Sequence, residues 1–68
     1  MEFGNRLREL LKENCVSQAT LAKAIGVSQR AVSKWINNQA EPTESAIANC
    51  AKYFDVSADY LLGLKDEY

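Results

Sequence analysis

Histidine is absent from this chain, and cysteine occurs only twice, as Cys15 and Cys50. Histidine is the commonest general base and, together with cysteine, the usual zinc ligand, so acid–base catalysis and zinc binding both lack their usual residues. The sequence also contains no nucleophile–base pair, metal-ligand cluster or phosphate-binding loop. We therefore expect no enzymatic activity, no metal and no cofactor, and no small-molecule ligand is evident.

Long hydrophobic runs are absent as well. No stretch approaches the roughly 20 apolar residues that a membrane helix needs, and the N-terminal MEFGNRLREL carries acids without the apolar core of a signal peptide. We expect a cytoplasmic location, no membrane association and two reduced thiols. The 68 residues, 47% of them apolar, leave room for one domain with a modest core.

The net charge of the chain is small, but its charged residues are unevenly placed. The net charge is −1, yet residues 18–40 carry three cations and no acid, which gives +3. Residues 41–68 carry six acids and two lysines, which gives −4. Such asymmetry orients a protein on a polyanion even when the overall charge is slightly negative.

The stretch 18–37, QATLAKAIGVSQRAVSKWIN, predicts two short helices joined by a tight bend. Ser17 and Ser28 precede the two helices, where a side-chain oxygen accepts a bond from an unpaired backbone N–H. Gly26 stands at the bend, where a helix end favours a residue that tolerates positive φ. Apolar residues recur at helical spacing in both segments, namely Leu21, Ala22 and Ile25, then Ala31, Val32, Trp35 and Ile36.

The second of these helices has a polar face without a carboxylate. That face consists of Gln29, Arg30, Ser33, Lys34 and Asn37. Arginine and lysine donate to guanine, and glutamine and asparagine pair bidentately with adenine. A merely solvated face is the simpler alternative, but solvated faces usually mix Glu with Lys. The composition therefore favours a face that reads DNA bases.

The same stretch resembles the helix-turn-helix of the phage Cro and repressor family, also called XRE-like. Four positions carry the match: a small residue between the helices at Ala22, Gly26 in the turn, and the apolar anchors Val32 and Trp35. FGNRLRELLKENCVSQ resembles the family's first helix, and EPTESAIANCAKYFDVSADYLLG its last two. The resemblance implies an all-α, compact five-helix lambda-repressor-like DNA-binding domain over residues 1–63, followed by a short tail, residues 64–68.

The first helix is predicted to start near Glu2 or Phe3 and to end near Asn14. Its buried stripe is Phe3, Leu7, Leu10 and Leu11. Family members often have Gly at the position of Cys15, and we expect Asn14 to take the positive φ instead. Many members also pair an Arg on this helix with a Glu on the recognition helix. Leu11 and Ile36 stand at those positions, so a hydrophobic contact is expected there.

The remaining helices are predicted from the residues that cap or end them. Asn38 is expected in a left-handed conformation after the recognition helix. Thr43 and Ser57 are expected to cap a fourth and a fifth helix, and Gly63 to end the last one. The apolar stripe of the fourth helix is predicted to be Ile47, Cys50, Ala51 and Phe54. Residues 65–68 are expected to fray, and no strand is predicted.

The resemblance implies that the recognition helix, about residues 28–37, lies in the major groove of double-stranded DNA. The expected base contacts are Gln29, Arg30, Ser33 and Lys34. The expected phosphate contacts are Gln18, Asn37 and, less clearly directed, Lys23. Simpler interpretations stay open: Gln18 could be a neighbour of the Ser17 cap, Lys34 could be solvated, and Ser33 could reach a base or a phosphate.

The function that follows is sequence-specific DNA binding by a transcriptional regulator, more often a repressor than an activator. One such module buries little surface, so we expect a homodimer on a near-palindromic operator. Its self-association surface is predicted around Tyr60, Leu61, Leu64 and Tyr68. The lack of a second domain favours a Cro-like or prophage-type repressor. The alternative is an antitoxin-like or protein-interaction module with weak DNA affinity of its own.

Overall fold

Five α-helices follow one another along residues 2–68, the part of the chain that the computed structural model describes, and no strand forms among those residues. They are α1 (Glu2–Glu13), α2 (Gln18–Ile25), α3 (Gln29–Ile36), α4 (Glu44–Phe54) and α5 (Ala58–Leu61). None of them is long and apolar enough to span a membrane. The all-α, five-helix prediction is confirmed.

The core is a single cluster to which every helix contributes. Its most completely buried side chains are Phe3, Leu7, Leu10, Leu21, Val32, Cys50 and Leu61. Trp35, expected as an apolar anchor of the recognition helix, is 7% exposed and meets Phe3 of α1 edge to face, with ring centroids 6.0 Å apart. Burial also raises the pKa of the Cys50 thiol to about 11, which keeps this group protonated at neutral pH.

A close approach between α1 and the end of α3 depends on Gly4. A Cβ atom at this position would collide with the carbonyl oxygen of Trp35 and would lie 3.2 Å from that of Ile36. Gly4 is buried although it stands in the first turn of α1. Its missing side chain therefore lets α1 rest on the backbone of α3, a contact that the sequence pattern did not indicate.

The predicted helix ends are largely confirmed. Ser17, Ser28, Thr43 and Ser57 each accept a hydrogen bond from the backbone N–H three residues on, at 3.0–3.1 Å. The residues after α3 and α5 also behave as expected, because Asn38 has φ 57° and Gly63 has φ 80°. Asp55 ends α4 in a left-handed conformation with φ 56°, a role that was not predicted for it.

The end of α1 at Glu13 agrees with the prediction, but the residue predicted to take the positive φ after it was wrong by one position. Cys15, and not Asn14, takes the left-handed conformation, with φ 55°. The reason lies further along the chain: Val16 N–H donates to the Leu11 carbonyl at 2.9 Å, and the left-handed residue must precede the donor in such a helix end. Val16 packs against the core, so the burial of its side chain decides which residue takes the left-handed conformation. Asn14 instead donates its side-chain amide to the Leu10 carbonyl at 2.8 Å.

The expectation of a frayed C-terminus was also wrong. Residues 64–68, which we call the C-terminal strap, fold back over α1 and α5. The Tyr68 hydroxyl donates to Glu13 at 2.6 Å, and the Tyr68 carbonyl accepts from Ser57 N–H at 2.7 Å. The Tyr68 ring meets the Tyr60 ring edge to face at 4.8 Å. The domain boundary at residue 63 stays a prediction.

Arg6 of α1 holds the middle of the C-terminal strap. Its guanidinium donates to the Lys65 carbonyl at 3.0 Å and to Asp66 at 3.2 Å, and it lies 4.4 Å from the centre of the Tyr60 ring. Because Tyr60 is 6% exposed and Leu61 is completely buried, neither can belong to a self-association surface. That part of the predicted surface is therefore wrong.

Candidate nucleic-acid interface

The bend between α2 and α3 is tight because Gly26 closes it. Gly26 has φ 77°, and its backbone N–H donates to the Ala22 carbonyl, as does that of Val27 at 3.0 Å. Ala22 is 3% exposed, in keeping with its predicted role as the small residue between the two helices. Ser28 then caps α3 directly after the turn. The local sequence thus fixes how α3 leaves α2.

The two faces of α3 differ sharply in what they contact. Val32, Trp35 and Ile36 are buried on one face. On the other face Gln29, Arg30 and Lys34 are exposed, and Ser33 is half-buried. No hydrogen bond or ion pair within residues 2–68 holds the side chain of Gln29, Arg30 or Lys34. All four predicted base-contact residues therefore share one helix side, and the three longest are free to reach a ligand.

The three predicted phosphate-contact residues occupy different places. Gln18 is the first residue of α2 and is half-buried. Asn37 caps the end of α3, is exposed, and has its amide nitrogen 3.5 Å from the Ser33 hydroxyl. Lys23 is exposed in the last turn of α2. Gln18 and the end of α3 meet at one groove, whereas Lys23 does not line it.

That groove lies between α1, the start of α2 and the end of α3, and has a volume of about 470 Å³. Its lining residues are Arg8, Leu11, Lys12, Cys15, Val16, Ser17, Gln18 and Ile36. The sequence alone suggested no role for Arg8 or Lys12. Their spacing of four residues, which places both cations on one side of α1, is the signal that could have linked them.

A helix-turn-helix family model matches residues 7–61, which include the whole of the bend and both of its helices. The chain belongs to the XRE-type helix-turn-helix family. The match extends from α1 to the end of α5, so the family membership rests on the domain as a whole and not on the bend alone.

Individual relatives agree with this membership. The XRE-type chain is 37% identical over 60 residues to the repressor protein C2 of Salmonella phage P22, and 34% identical over 62 residues to the transcriptional activator BcrR of Enterococcus faecalis. These matches cover 88% and 91% of the chain, which spans only 28% and 30% of the two relatives. The crystal structure of the P22 c2 repressor with a synthetic operator superposes with a TM-score of 0.87 at 34% identity, covering 96% of this chain and 98% of that one.

Two apolar side chains, Leu11 of α1 and Ile36 of α3, line the groove of this XRE-type protein. They are each 6% exposed, in keeping with the hydrophobic contact expected where the resemblance implies an ion pair in many family members. An apolar pair avoids the desolvation of two charges, so the change need not weaken the α1–α3 contact. It also leaves no buried charge among the described residues.

Proposed function

We propose that this XRE-type protein is a sequence-specific transcriptional regulator that places α3 in the major groove of double-stranded DNA. The carrying observation is the contrast between the two faces of α3. Its apolar face is buried, while Gln29, Arg30 and Lys34 have no partner within residues 2–68. Side chains of these types, presented on a helix that fits the groove, are those that read base edges.

The base-reading roles follow the position of each residue along α3. Gln29 and Arg30 stand at its N-terminal end, which approaches the bases most closely in a helix-turn-helix. Arg30 suits the bidentate contact with guanine, and Gln29 the one with adenine. Lys34 lies one turn further on, and Ser33 is half-buried beside it. We assign all four to base contacts, with Arg30 as the principal one.

The positioning roles belong to residues at the edges of the bend. Gln18 opens α2, where the first backbone N–H groups have no acceptor within the helix, and Asn37 ends α3. Both fit contacts to the sugar-phosphate backbone, which fix register without reading sequence. Lys23 adds a positive charge to the acid-free stretch of residues 18–40 and supplies attraction to phosphate.

We propose repression as the regulatory outcome, by a Cro-like or prophage-type repressor acting in the cytoplasm, where operator DNA is found. The similarity to the P22 repressor supports repression, and it is the relative with the higher identity of the two compared. The similarity to an activator makes activation the alternative outcome. A reporter gene placed behind the selected operator distinguishes them, because a repressor lowers its expression and an activator raises it.

We propose that two copies bind one near-palindromic operator. A single module contacts few phosphates, and two half-sites one helical turn apart supply the affinity that one lacks. The apolar side chains left for pairing on the C-terminal strap are Leu64, 72% exposed, and Tyr68, 59% exposed. Sedimentation with and without a 20-base-pair operator, about two turns long, should give two chains per duplex, and one chain per duplex would contradict the pairing.

Selection from random double-stranded DNA, followed by mobility-shift titration of the enriched site, tests the proposed function directly. We expect enrichment of a near-palindromic sequence that binds far more tightly than scrambled DNA of equal length. The alternative is an antitoxin-like or protein-interaction module, which the cation-free loop of residues 38–42 favours. Failure to enrich any sequence, with equal binding to all duplexes, would overturn the proposal in favour of that alternative.

A further inference from the structure

We propose that the groove between α1, the start of α2 and the end of α3 is a binding site for a small amphipathic organic anion. Such a ligand has an apolar body and one carboxylate, phosphate or sulfonate group. The binding itself goes beyond the proposed function and does not depend on it. Its expected consequence, competition with operator DNA, rests on that function.

The size and the floor of the groove suit a small molecule. Its volume of about 470 Å³ falls within the roughly 300–1,000 Å³ of ligand pockets. The floor is apolar, because Leu11 and Ile36 are buried and Val16 is half-buried beneath the opening. An apolar floor cannot replace the water around an ion, but it is stabilised when an apolar body covers it. The ligand therefore needs an apolar part that binding removes from water.

The rim of the groove selects the sign of the ligand's charge. Arg8 and Lys12 lie one turn apart on α1 and are the only Asp, Glu, Lys or Arg side chains among the described residues that line it. The neighbouring acids of α1 are Glu9, which does not line the groove, and Glu13, which accepts the hydrogen bond from Tyr68. With two cations and no carboxylate on its wall, the groove attracts an anion.

These two cations are also available to a ligand. Arg6, on the same helix, forms ion pairs with two carboxylates. Among the described residues, neither Arg8 nor Lys12 has an ion-pair partner. The guanidinium of Arg8 donates only to the neutral Asn5 side chain, at 3.0 Å, which orients the group without neutralising it. An anionic head group beside Arg8 and Lys12 therefore replaces no existing ion pair.

The polar wall on the side of α2 supplies one further donor. The Ser17 hydroxyl is already engaged, because it accepts from the Thr20 N–H at 3.0 Å and donates to the Thr20 hydroxyl at 2.8 Å. The Gln18 side chain has no hydrogen bond within residues 2–68, so its amide is free to donate to the anion. Because Gln18 is also a proposed contact to the DNA backbone, a bound anion and operator DNA compete for the same side chain.

The test compares two fluorescent probes that differ in charge. Anilinonaphthalene sulfonate carries a sulfonate on an aromatic body, and phenylnaphthylamine has the same rings without the charge. We expect the folded protein to bind one anionic probe per chain saturably, and the neutral probe at least severalfold more weakly. Equal affinities for the two probes, or no saturable binding of the anionic one, would overturn the proposal.

Variants that remove one charge locate the site. Arg8→Gln and Lys12→Gln should each weaken binding of the anionic probe severalfold and leave the affinity for the neutral probe unchanged. Lys52→Gln is the matched control, because Lys52 is also exposed but lines a different groove, between α2 and α4. It should bind both probes as the wild type does. Loss of binding in Lys52→Gln, with Arg8→Gln unaffected, would place the site in that other groove and contradict the proposal.

Cys15 provides an independent readout at the groove itself. It is exposed and lines the groove, whereas Cys50 is buried, so alkylation by iodoacetamide reports on the groove alone. A saturating concentration of the anionic probe should slow the alkylation of Cys15 severalfold. In a Cys15→Ser, Lys52→Cys variant, the thiol at position 52 should react at the same rate with and without the probe. Equal effects at the two positions would rule out binding in this groove.

Competition with DNA is measured on the selected operator. Its affinity should fall as the anionic probe fills the groove, and an equal concentration of the neutral probe should lower it less. Probe binding that leaves the operator affinity unchanged would overturn the competition. The failures are distinguishable: a wild-type protein that binds the operator specifically but not the probe retains the proposed function and loses the anion site. A protein that binds the probe but prefers no DNA sequence retains the anion site and loses the proposed function.

Discussion

The polar face of α3 and the C-terminal strap are both surfaces rich in polar groups, yet they differ in how those groups are used. In the strap, the Lys65 carbonyl, the Asp66 carboxylate and the Tyr68 hydroxyl all bond to α1. On α3, the side chains of Gln29 and Arg30 bond to nothing within residues 2–68. Polar groups that are satisfied inside the chain hold the fold, and those left unsatisfied are available to a ligand.

Two arginines show the same difference at single residues. Arg6 is bound to two carboxylates and a carbonyl and covers the Tyr60 ring. Arg30 is exposed and unpaired in the described chain. Net charge cannot separate them, because each contributes one positive charge. Their partners can, and the comparison predicts that Arg6 matters for stability and Arg30 for binding.

The largest expected effect is on the free energy of unfolding and comes from Trp35, on the buried face of α3. Trp35→Ala should lower the free energy of unfolding by roughly 3–5 kcal/mol, because it leaves a cavity against Phe3. A domain of this size has little more stability than that, so the variant should be largely unfolded. Denaturant titration by circular dichroism measures the loss. Arg30→Ala, on the opposite face of the same helix, is the control and should change stability by less than about 0.5 kcal/mol.

The intrinsic fluorescence of Trp35 checks the same assignment without a mutation. Emission should be blue-shifted in the native protein, since the indole is 7% exposed, and should move red on denaturation. A native spectrum equal to that of free tryptophan would mean that α3 does not pack on α1.

The next effect is a loss of stability at two glycines with positive φ, Gly26 in the turn between α2 and α3 and Gly63 just before the C-terminal strap. Gly26→Ala should cost roughly 1–2 kcal/mol, because φ is 77° but no atom lies within 4 Å of the added methyl group. Gly63→Ala should cost more, because φ is 80° and the methyl group would also stand 2.7 Å from the Glu2 side chain. Thermal melts of both variants show which one loses more stability. Equal losses would contradict the predicted clash between the added methyl group at position 63 and Glu2.

The smallest effect concerns the end of the strap. The hydrogen bond to Glu13 raises the pKa of Tyr68 from its ordinary 10.0 to about 12. Because the folded pKa lies above the unfolded one, the bond stabilises the fold fully below pH 10 and is lost as the pH rises to about 12. Tyr68→Phe should lower Tm by less than about 5 °C near neutral pH, since the bond is exposed.

The difference in Tm between the wild type and Tyr68→Phe should therefore shrink as the pH rises above 10 and be lost as it approaches about 12. Tyr53→Phe is the matched control, because Tyr53 is also exposed and stacked edge to face on an aromatic neighbour, Phe54. It should have the wild-type Tm at every pH. A difference between wild type and Tyr68→Phe that persists unchanged to high pH would rule out the Glu13 bond as its cause.

Features set by neighbouring residues could be read from the sequence, and features set by distant ones could not. Ser28 and Gly26 were predictable because a cap or a turn depends on a few adjacent backbone groups. The choice between Asn14 and Cys15 depended on Val16 reaching the core. The Tyr68–Glu13 bond joins residues 55 positions apart, which no local pattern encodes.

The residues of the candidate site also divide into those that could be predicted from the sequence and those that could not. The polar face of α3 follows from helical periodicity, so Gln29, Arg30, Ser33 and Lys34 could be grouped without a structure. The groove that joins Arg8 to Gln18 could not, because it depends on how α1 rests on α3. Gly4 makes that contact possible by the absence of a side chain, a feature that hydrophobic periodicity does not register.

The central claim is that the unpaired face of α3 reads sequence while the edge of the bend only positions the protein. The most direct measurement is the affinity of Arg30→Ala and Gln18→Ala for the selected operator and for base-substituted operators, at several salt concentrations. Arg30→Ala should lose roughly 1–3 kcal/mol on the preferred site and relax discrimination at one base pair per half-site. Gln18→Ala should weaken all sites about equally and leave the salt slope nearly unchanged, because it is uncharged. An Arg30→Ala variant that binds every site more weakly by the same factor, with its base preferences intact, would contradict the account.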